Sequence, residues 1–270
     1  MTTLFIVGGG LFGSLAAAYA RSKGIESVVF DCACEGAASP AAAGLFQEKW
    51  AARKLRPHYH QALVVLERLF PIQQISLRRD DGGTESLLFI PPSIILDPQP
   101  LRQPVVSIGN GWLEAGGRRY QGWVYIAAGV WSEQFLPGLE VYGKAGAAFL
   151  FAGERQGRIW YTAPSLSGKA DRERSLQCLA FVRDRGTTYF SDGTAERVYT
   201  AEHDRLSLER AAQIGLSKPI ARLWGQRPYV SGGPFFQQIA SRTWLATGGR
   251  KMGTILGASF ARRLVEDELR

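Results

Sequence analysis

The stretch Leu4-Phe5-Ile6-Val7-Gly8-Gly9-Gly10-Leu11-Phe12-Gly13 decides the fold of this chain. Its first four residues are apolar and predict a buried strand, and the segment from Leu15 to Ala20 has helical spacing. Three glycines, Gly8, Gly10 and Gly13, lie between them in the G-x-G-x-x-G pattern of dinucleotide-binding turns. We therefore predict a strand, a turn and a helix whose N-terminus faces a pyrophosphate.

Each glycine of this turn has its own physical role. Gly8 permits the sharp bend, Gly10 lets the backbone approach the phosphates, and Gly13 lets the helix pack closely on the strand. Ser27-Val28-Val29-Phe30 predicts the second strand, and Asp31 follows where a carboxylate accepts a hydrogen bond from a ribose hydroxyl. This order predicts a bound dinucleotide rather than an isolated turn.

The composition is ordinary apart from its charge. The 270 residues are 46% hydrophobic and 21% charged, with a formal net charge of +8. The basic residues are spread along the sequence, and no helix-turn-helix or zinc pattern accompanies them. The charge therefore favours anionic substrates or cofactor phosphates over nucleic acid as partners.

The sequence predicts neither a membrane span nor a metal site. No apolar run reaches the roughly 18 residues that a spanning helix needs, and no secretion signal is recognised. The cysteines do not form a disulfide framework, and we interpret Cys32 and Cys34 as small fillers beside the nucleotide. His58-Tyr59-His60 could chelate from a strand face, but it has no second pair of ligands. These features favour a reducing, cytoplasmic location.

Farther along, the chain predicts two kinds of architecture. A helical segment at 48–70 is kinked or divided by Pro57. Residues 123–129 form an apolar strand ending in small residues, which is typical of a strand beside a cofactor. Short strands between 147 and 189 predict an antiparallel sheet, and a last strand at 244–247 leads into a final helix. The antiparallel sheet is therefore inserted into an α/β fold.

Four blocks of sequence resemble the D-amino-acid oxidase and glycine oxidase superfamily of FAD-dependent oxidoreductases. In the family's order, the blocks are Ile6 to Gly13, Gly36 to Gly44, Ile126 to Ser132, and a C-terminal pair formed by Trp224 to Tyr229 and Ala246 to Thr254. The resemblance implies a Rossmann-type FAD-binding domain with an inserted, reduced antiparallel β-sheet substrate domain.

The resemblance also implies domain boundaries. The FAD-binding domain comprises 1–75, 105–140 and 224–270, while 76–104 supplies short strands of the substrate region and 141–223 its antiparallel sheet and a helix. The chain is shorter than is usual in the family, with the loss where substrate walls normally lie. Its site is therefore expected to be open, completed by a partner subunit, or reduced to a flavin-binding shell.

By the same resemblance, individual residues are assigned to the cofactor. The residues expected to hold FAD are Gly8, Gly10, Leu11, Phe12, Gly13, Asp31, Ser39, Ala42, Ala43, Gly44, Ala128, Gly129, Trp131, Arg227, Gly248, Gly249, Lys251, Met252, Gly253 and Thr254. Arg227 is also expected to bind a substrate carboxylate through its bidentate fork, and Lys251 to place a second cation over the flavin. The alternative for Arg227 is a structural arginine bonded to backbone carbonyls near Pro228.

The function implied is oxidation of the C–N bond of a small amine or amino acid by hydride transfer to flavin N5, with the flavin supplying the redox chemistry. Two alternatives stay open. One is a truncated flavin-binding subunit or module without oxidase activity of its own. The other is a tRNA-base side-chain oxidase, which the basic charge suggests and which requires salt-sensitive RNA binding.

Overall fold

The computed structural model describes residues 3–97, 99–162 and 176–269, which contain sixteen strands and five α-helices. The strands are β1 Leu4–Val7, β2 Ser27–Phe30, β3 Leu45–Phe46, β4 Gln73–Arg79, β5 Thr84–Phe89, β6 Val105–Gly109, β7 Trp112–Ala115, β8 Arg118–Gln121, β9 Trp123–Ile126, β10 Val141–Ala152, β11 Arg158–Thr162, β12 Leu176–Asp184, β13 Thr187–Ser191, β14 Pro219–Val230, β15 Phe235–Ala240 and β16 Thr243–Thr247.

The helices connect these strands. The α-helices are α1 Leu11–Ser22, α2 Arg56–Leu69, α3 Pro92–Ile95, α4 Ala201–Ala212 and α5 Gly253–Arg263. Three 3₁₀ helices span Glu48–Trp50, Arg53–Leu55 and Gly129–Phe135, and a π-helical turn at Leu264–Glu268 extends α5.

The first sheet has five strands in the order β15-β16-β9-β1-β2. β16, β9, β1 and β2 are parallel, and β15 pairs with β16 in the antiparallel sense. Side chains on both faces are buried, with Leu4, Ile6 and Trp244 on one face and Phe5 and Leu245 on the other, as expected for apolar strands covered on both sides. The mixed α/β class predicted from the sequence is confirmed.

Helices α1 and α5 pack side by side against one face of this sheet, and α2 packs on α5. Phe12 and Phe260 meet edge to face with ring centroids 5.7 Å apart. Gly257 keeps the two helices close, because a Cβ there would lie 2.9 Å from Leu15 Cδ1. The N-termini of α1 and α5 are thereby held beside the same edge of the sheet.

The second sheet has eight strands in the order β14-β10-β13-β12-β11-β4-β5-β3. Its pairings are antiparallel except that of β4 with β11. One face carries Phe149 and Phe190 against Ala211 of α4, and the other carries Leu179 and Phe181. A separate three-stranded sheet joins β6, β7 and β8. β14 runs across the boundary that was predicted between residues 223 and 224. The predicted domain boundaries stay predictions.

Of the two alternatives predicted at Pro57, division of the helical segment is confirmed, while two other local predictions were wrong. The predicted helix at 48–70 is divided into two 3₁₀ turns and α2, which begins at Arg56, so Pro57 lies in the first turn rather than at a kink. Proline is tolerated there because the first N–H groups of a helix lack intrahelical partners. His58 consequently lies on a helix rather than a strand.

The second error concerns the cysteines. Cys32 and Cys34 form a disulfide instead of acting only as separate fillers, and Cys178 is buried elsewhere in the fold. The backbone turns between them at Ala33, whose φ of 52° lies in the left-handed region. The C-x-C spacing did not reveal this turn, since its conformation is uncommon for alanine.

Candidate cofactor and substrate site

A cavity of about 500 Å³ is lined by residues of both large sheets. Its size lies in the usual range for small-molecule and cofactor sites. The residues predicted from the sequence to hold FAD or substrate all line it except Gly13, Gly248 and Met252. The structure therefore brings together blocks that are more than 200 residues apart in the chain.

The three exceptions lie just behind the cavity wall. A Cβ at Gly13 would lie only 1.9 Å from the Gly8 carbonyl oxygen, so this glycine permits the packing of α1 on the turn. Gly248 has a φ of 81° and turns the chain after β16. Met252 is the N-cap residue of α5 and packs against the core.

The first turn exposes the N-terminus of α1 to the cavity. Gly8 has a φ of 102°, and a Cβ there would lie 2.5 Å from the Ala127 carbonyl oxygen. The backbone N–H of Leu11 donates to Ser39 Oγ at 2.9 Å, and α1 has no acidic residue in its first turn. A helix N-terminus beside a hydroxyl suits a phosphate, because the N–H groups and the helix dipole both favour negative charge.

Asp31 lies at the same end of the cavity and is held from two sides. Its Oδ2 accepts a hydrogen bond from Arg102 Nη1 at 2.8 Å, and its Oδ1 accepts one from the Ala33 backbone N–H at 3.3 Å. Cys32 and Cys34 line the wall next to it. The sequence did not identify Arg102, since it lies 71 residues away and no local pattern links the two.

The small-residue loop 36–44 crosses from the first sheet to the second. The backbone N–H of Gln226 donates to the Gly36 carbonyl oxygen at 2.8 Å. A Cβ at Gly225 would lie 2.5 Å from Ala38 Cα. The loop therefore lies directly against β14, which requires small residues on both sides.

Two side chains of the second sheet bind the carbonyl groups of this loop. The Tyr189 hydroxyl donates to the Ala41 carbonyl oxygen at 3.0 Å. Arg183 Nη2 donates to the Pro40 carbonyl oxygen, also at 3.0 Å. Arg183 is buried, and its guanidinium lies 5.5 Å from the Tyr189 ring. No local pattern in the sequence indicates Arg183, because its contact with the loop joins residues 143 positions apart.

The other end of the cavity is cationic. Arg227 projects from β14, and its Nη1 is buried with no hydrogen-bond partner among the described residues. Lys251 follows the turn after β16 and lines the same wall. Partial desolvation is the main cause that lowers the pKa of the Lys251 ammonium, and the charge of the Arg227 guanidinium lowers it further. Asp31, at the opposite end, is the only acidic residue in the described lining.

The loop before α5 is fixed by backbone contacts. Thr247 Oγ1 donates to the Gly129 carbonyl oxygen at 2.8 Å. The backbone N–H of Arg250 donates to the Pro228 carbonyl oxygen at 3.2 Å, and Arg250 has a φ of 49°. α5 begins at Gly253 with no acidic residue in its first turn. A second helix N-terminus therefore opens on the cavity.

Two further properties concern the described part of the chain, metal binding and membrane crossing. There, no group of three or more His, Cys, Asp or Glu side chains could hold a metal ion. No helix in these same ranges is long and apolar enough to cross a membrane.

The fold and the cavity define a class of α/β protein in which a glycine turn of Rossmann type and a second, mostly antiparallel sheet enclose one shared site. Solved structures with this fold include glycine oxidase from Bacillus cereus, with a TM-score of 0.71 and 14% identity over 100% of this chain and 98% of that chain.

Two further structures are similar across nearly their whole length. Iminodiacetate oxidase from Chelativorans sp. has a TM-score of 0.66 and 16% identity over 97% of this chain and 94% of that chain. L-proline dehydrogenase from P. horikoshii has a TM-score of 0.71 and 11% identity over 100% of this chain and 94% of that chain. No family model and no curated protein matches the sequence. The fold expected from the sequence is therefore the fold that this chain shares with these solved structures.

Proposed function

We propose that this chain is an FAD-dependent oxidoreductase that oxidises the C–N bond of a small amine or amino acid. One observation carries the proposal: a single cavity joins the glycine turn and Asp31 at one end to Arg227 and Lys251 at the other. A dinucleotide bound at the first end reaches toward an anionic substrate at the second. When bound, FAD would supply the redox chemistry for this oxidation.

The residues around the cavity fit FAD. The N-terminus of α1 and Ser39 suit its pyrophosphate, and Asp31 suits a ribose hydroxyl. Gly249 and Gly253 let the backbone come close to a planar ring. The N-terminus of α5 favours negative charge, which a reduced flavin carries.

Arg227 and Lys251 act on the substrate. The buried, unpartnered Nη1 of Arg227 has an unused donor for a carboxylate, and an uncompensated buried donor is costly until an acceptor binds. The two cations also disfavour a nearby ammonium group, so they lower the pKa of the substrate nitrogen. The substrate is then held as the neutral amine, which loses a hydride without a catalytic base.

The experiment is anaerobic reduction of the purified holoprotein. Protein that retains a flavin spectrum after gel filtration is mixed with a panel of amino acids and amines, and the flavin absorbance is followed. We expect bleaching by at least one member of the panel. Holoprotein that no member reduces supports instead a flavin-binding module without activity of its own, and colourless protein contradicts both readings.

Asp31→Asn is expected to weaken FAD binding about tenfold, because a charge-assisted hydrogen bond contributes roughly 1.5–3 kcal/mol. Titration of apoprotein with FAD, followed by flavin fluorescence, measures the Kd. Arg102→Gln is the matched control, since it removes the ion pair at 2.8 Å and keeps the carboxylate. An equal loss in both variants would show that Asp31 acts through Arg102 rather than on the ribose.

The lowered pKa of Lys251 predicts a pH dependence of carboxylate binding. Because its ammonium loses the proton below the pH usual for lysine, the affinity for propionate should fall roughly tenfold as the pH rises through that pKa. Spectral titration of the holoprotein measures the Kd at each pH. Lys251→Arg stays charged and should flatten the profile; an unchanged profile in this variant contradicts the assignment.

A further inference from the structure

Three more cationic side chains lie near Arg227 and Lys251. Arg250 lines the cavity, while Lys144 and Arg197 lie beside it on the rings of Tyr229 and Tyr142. We propose that the substrate carries a second anionic group in addition to the carboxylate at Arg227, and that Lys144, Arg197 and Arg250 bind this second group. The proposal rests on the proposed function and names its substrate class: an amine bearing two acidic groups, the second a carboxylate or a phosphonate.

The strand register places two of the cations side by side. Lys144 of β10 is directly opposite Arg227 of β14, and the next pair on the same face is Tyr142 opposite Tyr229. Opposed residues of an antiparallel pair have Cβ atoms about 4.5–5.5 Å apart, and like charges in such a pair repel. A bound anion removes this repulsion.

The tyrosine pair orders the remaining cations. The rings of Tyr142 and Tyr229 stack with centroids 5.5 Å apart and planes 19° apart. Arg197 lies over Tyr142 at 4.3 Å, while Lys144 and Arg250 lie over Tyr229 at 5.3 and 5.1 Å. Such contacts hold a cation over the ring face, so these charges are in place before a ligand arrives.

The cluster reaches the cavity through Arg250. Arg250 both lies over Tyr229 and lines the cavity wall beside Lys251. None of the five cations forms an ion pair within residues 3–97, 99–162 and 176–269, whereas Arg205 on α4 is paired with two glutamates. A substrate with one carboxylate neutralises one of five charges, and a dianion neutralises two while spanning the same cluster.

The first test compares unreactive acids that differ in charge. Holoprotein is titrated with propionate, succinate and 3-phosphonopropionate at constant ionic strength, and the perturbation of the flavin absorbance gives each Kd. We expect succinate or 3-phosphonopropionate to bind at least tenfold more tightly than propionate, and the stronger of the two identifies the second group. Equal Kd values within twofold overturn the proposal and leave the proposed function standing. If no acid perturbs the flavin, the carboxylate site of the proposed function fails as well.

The second test locates the effect. Lys144→Gln combined with Arg197→Gln should reduce the ratio of propionate Kd to succinate Kd about tenfold. The control combines Arg118→Gln with Arg185→Gln, which removes the same charge from exposed positions elsewhere. An equal reduction in the control would show a general charge effect and contradict the cluster. Thermal unfolding of both double variants checks that each is folded.

Discussion

Arg227→Met is expected to lower kcat/KM for the best amino-acid substrate by about a hundredfold to a thousandfold. Removing one member of a buried, hydrogen-bonded charge pair costs roughly 2–5 kcal/mol, and here the substrate carboxylate would be left without its guanidinium. Methionine keeps much of the side-chain volume, so the cavity wall should be preserved. Steady-state kinetics and anaerobic flavin reduction measure the loss.

Arg227→Lys is the matched variant. It retains the charge but not the planar fork, so an intermediate loss is expected if the bidentate contact matters. If Arg227→Met keeps kcat/KM within tenfold of the original value while its Tm falls, Arg227 is a structural arginine. The absence of any described carbonyl partner for Nη1 argues for the substrate role.

Gly13→Ala is expected to prevent FAD retention and to lower the Tm by roughly 10 °C. Helix propensity alone favours alanine by about 1 kcal/mol, but the new Cβ would lie 1.9 Å from the Gly8 carbonyl oxygen, where real contacts stay beyond 3.0 Å. Overpacking of this kind costs roughly 1–3 kcal/mol or more. Either α1 moves away or the turn deforms, and both disturb the phosphate site.

The control is Gly253→Ala in the first turn of α5. Its Cβ would make only an ordinary contact, 3.4 Å from Leu11 Cδ1, so the variant should fold with a Tm near the original. Circular dichroism and thermal unfolding compare the stability of the two variants, and gel filtration of the Gly13→Ala protein shows whether flavin is retained. A Gly13→Ala protein as stable and as yellow as the original would contradict the packing argument.

The parts of the site that were predictable are local in sequence. Gly8, Gly10 and Gly13 are required by sterics within one turn. Asp31 comes directly after β2, the strand that pairs with β1. The loop 36–44 was expected to lie against a ligand because its residues are small, and it lines the cavity. Short-range steric rules act on neighbouring residues, so a single sequence contains them.

Local patterns were less reliable where a residue type suits more than one conformation. Pro57 is compatible with a kink and with a first helical turn, and only the packing of α2 on α5 determines which occurs. Cys32 and Cys34 are compatible with free thiols and with a bridge, and the turn at Ala33 brings them together. In both cases the residue types by themselves do not choose between the alternatives.

Residues 4–31 were predictable from their local pattern as a strand, a glycine turn and a helix, with an acid after the second strand. The distant groups that face this turn depend on the tertiary fold. It placed Arg102 on Asp31 and aligned Lys144 with Arg227, pairs separated by 71 and 83 residues. The reason is physical: backbone sterics are local, whereas the register between distant strands depends on the burial of the whole core.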